Sequence, residues 1–135
     1  LGAEREQAEA TQLYRLAAEQ GVAGAQCRLG VMYAEGRGVA QDNAESVRWF
    51  RLAAEQGDAE AQAALGLAYA AGRGVAQDLV ASYSWLTIAA ARLTGATRSG
   101  ALKFRGSLVG AMSKEQITSA QRIAQEHSEG AAGQT

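Results

Sequence analysis

Cys27 and His127 are the chain's one thiol and one imidazole, so any nucleophilic, acid–base or metal chemistry would have to start from them. A cysteine nucleophile needs a base beside it, and the sequence offers Cys27 no good candidate; it reads as a small hydrophobe. His127 falls in a last helical turn, where an imidazole meets terminal carbonyls or caps a core. One histidine and one cysteine make neither a zinc cluster nor an HExxH or CxxC motif, and an intrachain disulfide is impossible. Gly106-Ser107-x-x-Gly110 has the wrong glycine spacing for a nucleophile elbow. The Gly36-Arg37-Gly38 and Gly72-Arg73-Gly74 loops lack the preceding strand and the following lysine and hydroxyl of a phosphate cradle, so they read as turns. Arg37 and Arg73 then occupy equivalent places on one edge, exposed or in a local ion pair. The expectation is a non-enzyme with no catalytic residues, no cofactor and no metal.

The elements that carry these residues repeat. Arg15-Leu16-Ala17-Ala18-Glu19-Gln20-Gly21 recurs unchanged at 51–57, and Gly36-Arg37-Gly38-Val39-Ala40-Gln41-Asp42 recurs unchanged at 72–78. Both spacings are 36 residues, and residues 22–57 align with 58–93 without gaps at half of the positions. A fixed period of this length marks a solenoid.

Each unit reads as two helices. The first spans about Ala23 to Glu35, with Ala25, Leu29, Met32 and Tyr33 at helical spacing and Gly36 and Gly38 ending it. Asp42 is an N-cap for the second, and Glu45 three residues on predicts a capping box. Val47, Phe50, Ala53 and Ala54 form its inner side with Trp49 alongside, Gly57 ends it, and Asp58 caps the next helix. Trp49 and Trp85 share one repeat position, which predicts packing between units, not a ligand box. Gly30 and Gly66 sit mid-helix, where glycine costs about 1 kcal/mol against alanine. Their recurrence predicts close helix contact, with Ala53 and Ala89 as the matching small residues.

Residues 2–21 align with 38–57, so the chain opens with the second helix of a truncated repeat, Leu13 and Tyr14 standing where Trp49 and Phe50 stand. Repeats at 22–57 and 58–93 follow. Residues 94–127 read as a divergent capping pair: Gly95 a late terminator, a helix from about Thr97 to Ala111 with Ala101, Phe104, Leu108 and Met112 inward, then a Ser113/Gln116 capping box and a helix to about His127 with the stripe Ile117, Ala120, Ile123 and Ala124. Residues 128–135 are expected to be a disordered tail.

Composition agrees with close-packed helices: hydrophobic residues make 47%, mostly alanine, and proline is absent, leaving 16 glycines to punctuate. A net charge of −1 gives no general pull toward nucleic acid or anionic lipid. Residues 1–95 carry 8 basic and 11 acidic side chains and residues 96–135 carry 5 and 3, and Arg98, Lys103 and Arg105 read as a solvated face. No apolar run reaches the ~20 residues of a membrane span. Residues 1–20 have no signal-peptide core, and a start at Leu1 fits a processed form from which a targeting segment has been lost.

The pattern Ala25-x3-Leu29-Gly30-x2-Tyr33-x2-Gly36-x-Gly38-Val39-x2-Asp42, then Trp49, Ala53-Ala54 and Gly57, resembles the Sel1-like repeat, a relative of the tetratricopeptide repeat. The second unit matches equally, save Leu93 in place of the closing glycine. This resemblance implies an all-α, right-handed solenoid of antiparallel helix pairs whose first helices line a concave face. It also implies a bacterial scaffold or adaptor, periplasmic or cytoplasmic, that binds a peptide or partner protein. On that face we expect Cys27, Val31, Ala34, Glu35, Ala63, Leu67, Ala70 and Lys103. Two other readings stand beside it. One is a cell-wall-ligand or β-lactam-binding or -hydrolysing protein like the cysteine-rich relatives, disfavoured by the single cysteine. The other is self-association through an open N-terminal face.

Overall fold

The computed structural model describes residues 2–132, which form seven α-helices and, among the described residues, no strand. They are α1 (Gly2–Glu19), α2 (Ala23–Glu35), α3 (Asn43–Glu55), α4 (Ala59–Ala71), α5 (Leu79–Ala90), α6 (Gly95–Leu108) and α7 (Lys114–Ala132), with a short 3-10 turn, Val109–Ala111, after α6. Each helix from α1 to α6 packs on its sequence neighbour, and α5 also packs on α7. The molecule is an all-α solenoid.

Local chemistry sets the boundaries. Gly36 and Gly72 end α2 and α4 in the left-handed region, at φ 68° and 66°. Asp42, Asp58 and Asp78 each accept a hydrogen bond from the backbone N–H three residues on, capping α3, α4 and α5. The expected Asp42/Glu45 box is only half made. The Asp42 N–H donates to the Tyr33 carbonyl, and the Glu45 carboxylate takes the Arg48 guanidinium at 2.7 Å. That charged partner lowers the Glu45 pKa, and Arg48 lies over the Trp49 ring, 4.5 Å from its centroid. Ser113 and Gln116 do make a complete box.

The period is written in side-chain bonds. Gln26 and Gln62 each donate Nε2 to the carbonyl eight residues back, Ala18 and Ala54, at 3.1 Å. Arg98, one period further, does the same to Ala90 through Nε at 3.0 Å. Arg15 bonds the Tyr33 hydroxyl and Arg51 the Tyr69 hydroxyl, each eighteen residues ahead, with the guanidinium also over the ring. At the next step the pair changes sides: Thr87 stands in the arginine position, Arg105 in the tyrosine position, and Arg105 donates to Thr87 at 3.1 Å. The Arg98–Arg105 segment is therefore the third first-helix of the series, and two of its three cations are engaged internally.

Glycine spacing has a different cause from the one expected. A Cβ on Gly30 would lie 2.7 Å from the Phe50 ring, and one on Gly66 2.9 Å from Leu86 Cγ. These glycines seat the large residue at one recurring second-helix position, not the alanines at 53 and 89. Trp49 packs with Ala18, Ala25, Leu29 and Met32, between successive units as its spacing implied. Trp85 stands edge-on to His127 at 5.4 Å between centroids, so the imidazole covers the last indole.

The C-terminal pair departs from expectation in four places. Gly95 opens α6 instead of terminating the helix before it, and α6 gives way to the 3-10 turn at Val109. Phe104 and Ile123 are exposed, while Ala101, Leu108, Ala120 and Ala124 are buried. Small residues bring α7 close to α5, where Ser84 donates to the Ala120 carbonyl at 3.1 Å. Helix α7 also continues to Ala132, through the first five positions expected as a disordered tail. Positions 133–135 lie outside the described residues.

Candidate functional site: an apolar groove along helix α4

Helices α4 and α6 both pack on α5 but scarcely approach each other directly, and the space between first helices is left open. Two hollows result, of about 370 and 440 Å³. They meet at Ala64, Leu67 and Phe104, which line both. Toward the C-terminal end of α4 the groove is floored by Ala68 and Ala71, walled by Ala34 of α2, and edged by Arg73. Toward its N-terminal end Ala63, Gly100 and Ala101 form the floor, and Glu60 and Thr97 the edge. Leu67 is 44% exposed and Phe104 37%, large apolar side chains turned toward water along one line.

The structure brings three of the expected residues, Ala34, Ala63 and Leu67, into this groove. Five stand elsewhere. Cys27 is buried, clustered with Val47, Phe50, Ala53, Ala54, Ala61 and Leu65, because α3 and α4 cover that side of α2. Val31 is half-buried against the same cluster and borders a separate, more polar hollow with Arg28, Asp58 and Glu60. Glu35 is exposed and pairs with Arg37. Ala70 packs against the C-terminal cluster around Tyr83 and Leu86. Lys103 is exposed but lines neither hollow; its neighbour Phe104 does. Sequence reasoning missed Phe104 by assigning it to the core and missed Glu60, and it put Arg73 on an exposed edge without tying that edge to this groove. One signal was available: Glu35, the partner of Arg37, is replaced by Ala71 one period on, so Arg73 has no such acid beside it.

Cys27 is a poor nucleophile for a physical reason. Burial, reinforced by the nearby Asp58 carboxylate, pushes its thiol from 9.0 up to about 12. The folded protein is therefore expected to resist alkylation between about pH 7 and 9, while the urea-unfolded chain reacts as an ordinary thiol. By the same linkage, the raised folded value favours the native state below pH 9.0, and that contribution is lost as pH climbs from 9.0 toward about 12. Following labelling by mass spectrometry checks this; rapid modification of folded protein at neutral pH would contradict the buried thiol. Among the described residues no cluster of three or more His, Cys, Asp or Glu is placed to hold a metal ion. No described helix is long and apolar enough to cross a membrane.

A stack of two-helix units with an apolar groove along its first helices defines a helical-repeat solenoid. The profile of the Sel1 repeat matches residues 1–22, 23–58 and 59–92. The chain belongs to the Sel1 repeat family. Among solved structures it is similar to a protective antigen of uropathogenic Escherichia coli displaying an SLR fold, at 31% identity and a TM-score of 0.86, over 93% of this chain and 26% of that one. It is also similar to a Sel1 repeat protein from Oxalobacter formigenes, at 36% identity and a TM-score of 0.68, over 75% of this chain and 40% of that one. The chain thus spans well under half the length of either protein. Comparison with curated proteins returned no match. Sel1 repeat proteins are generally protein-interaction scaffolds, and their fold is typically non-catalytic.

Proposed function

We propose that the chain is a non-enzymatic adaptor that holds a partner protein or peptide in the groove along α4, with Leu67 and Phe104 as its central contacts. The observation that carries this reading is the line of exposed apolar side chains, Leu67 and Phe104, set among alanines where close packing leaves space. Large apolar groups left in water at the centre of a groove are the usual anchors of an interface. The test compares wild type, Leu67→Glu and, as a control on another surface, Arg122→Glu as baits for extract proteins, with quantitative mass spectrometry. Both variants should keep the wild-type helical circular dichroism. Partners retained by wild type and the control should fall at least about tenfold on Leu67→Glu, since a buried unpaired charge costs more than 1.4 kcal/mol. An identical set of partners on all three baits would refute the groove assignment.

A second reading, self-association, rests on α1, where Leu13 is 68% and Leu16 54% exposed. It requires a concentration-dependent mass in light scattering that Leu13→Glu abolishes.

A further inference from the structure

We infer that the occupant of the α4 groove is an amphipathic helix, acidic in its first turn and basic in its last, lying antiparallel to α4. This rests on the groove reading above and goes further by naming the partner's chemistry.

The first argument concerns backbone satisfaction. An extended peptide brings unpaired N–H and C=O groups, which must find partners when buried. The groove walls are helices, whose main-chain groups already bond within themselves. Its middle is Ala63, Ala64, Leu67, Ala68, Ala101 and Phe104, none of which has a polar side-chain atom, and the uncharged polar side chains that also line it, Asn43, Ser46 and Thr97, already bond within the protein. A ligand there has to satisfy its own backbone, and a helix does so. The dimensions agree. Helix α4 has 13 residues and is about 20 Å long, three to four turns of a partner.

Charge supplies the direction. Glu60 edges one end of the groove and Arg73 the other, and neither makes an ion pair or side-chain hydrogen bond with a described residue. In the preceding unit the arginine is neutralised, Arg37 by Glu35; at Arg73 the corresponding residue is Ala71. The groove thus ends in one open anion and one open cation. Helices favour acids in the first turn and bases in the last, because these offset their own dipole. A helix charged in that way meets Arg73 with its N-terminal turn and Glu60 with its C-terminal turn. It then also opposes the dipole of α4.

The experiment selects random displayed peptides slightly longer than α4 on the wild-type protein, with counter-selection on Leu67→Glu. Enriched sequences should show apolar residues at i, i+3, i+4 and i+7, an acidic first turn and a basic last turn. The best of them, made synthetically, should gain helical circular dichroism on binding. It should weaken about tenfold against Glu60→Lys/Arg73→Glu, two solvent-exposed changes whose folding is checked by the same signal. Leu67-dependent sequences that carry proline or alternate apolar and polar, and gain no helicity, overturn the helix while leaving the groove standing. Equal binding to the charge-swapped variant overturns the orientation. Absence of any Leu67-dependent sequence overturns the groove and this inference together.

Discussion

Gly74→Ala is expected to cost about 3 kcal/mol or more, enough to unfold much of a domain of ordinary stability. Two independent effects add. Gly74 has φ +79°, a left-handed conformation that costs an L-residue about 1–2 kcal/mol. In addition, a Cβ there would overlap the Asn43 carbonyl and press on Val47 Cγ2, and a helix backbone cannot turn aside as a side chain can. The same arrangement recurs one period earlier, where Gly38 lies against Thr11 and Gln7 of α1. These loop glycines are where each turn rests on the preceding second helix. Gly24→Ala is the internal control: it lies within α2 with nothing within 4 Å of its added methyl, and should stabilise by about 0.5 kcal/mol. Urea denaturation of both variants measures the difference. A Gly74→Ala protein as stable as wild type would mean that the turn does not seat on α3.

The second large effect is a coupling. Gly30→Ala should destabilise by about 2 kcal/mol, because the Phe50 ring, 2.7 Å from the new Cβ, is buried and would have to shift from its packed position. Phe50→Leu alone should cost about 1–2 kcal/mol through the space it leaves. Combined, the two should be less destabilising than their sum by about 1 kcal/mol or more, since Leu at 50 removes the rigid ring that the new Cβ would meet. A double-mutant cycle reads this directly. Strict additivity would show that Gly30 is kept small for some neighbour other than Phe50.

Helices α2 to α5 were legible because most of their stop and start signals are local: a glycine at positive φ follows α2, α3 and α4, and an aspartate that accepts from the N–H three residues on opens α3, α4 and α5. Trp49 was placed correctly because recurrence at one period implies a recurring environment. The glycine partner was misjudged since periodicity shows that something large or small comes near, without showing which side chain reaches it. Phe104 and Lys103 failed together. Helical spacing puts Phe104 on the Ala101–Leu108 stripe, but α6 meets only α5 on that side, so the stripe's edge looks into the space beside α4. Cys27 was read as groove-facing because the first helix was pictured with one covered side, whereas α3 and α4 cover two. Arg73 was legible as an edge residue, but its lack of the acid that pairs with Arg37 became visible only when the bonds of one repeat were laid over those of the next.

The same comparison exposes a gap in the bonding. Gln26 receives a hydrogen bond from Gln56 at 2.7 Å, but Arg92, which stands in the Gln56 position of the next unit, donates to the Gly57 carbonyl, and Gln62 Oε1 is buried with no hydrogen-bond partner among the described residues. A repeat tolerates such local defects because neighbouring units do not share them.

Among the described residues α2 to α4 lean chiefly on the helices before and after them, α6 and α7 each lean on α5 alone, and α5 has three close companions, α4, α6 and α7. A molecule wired in this fashion behaves like a short zipper. The singly held helices are the first to let go, and amide protons should trade with deuterium in α6 and α7 sooner than in α5, where three neighbours hold fast.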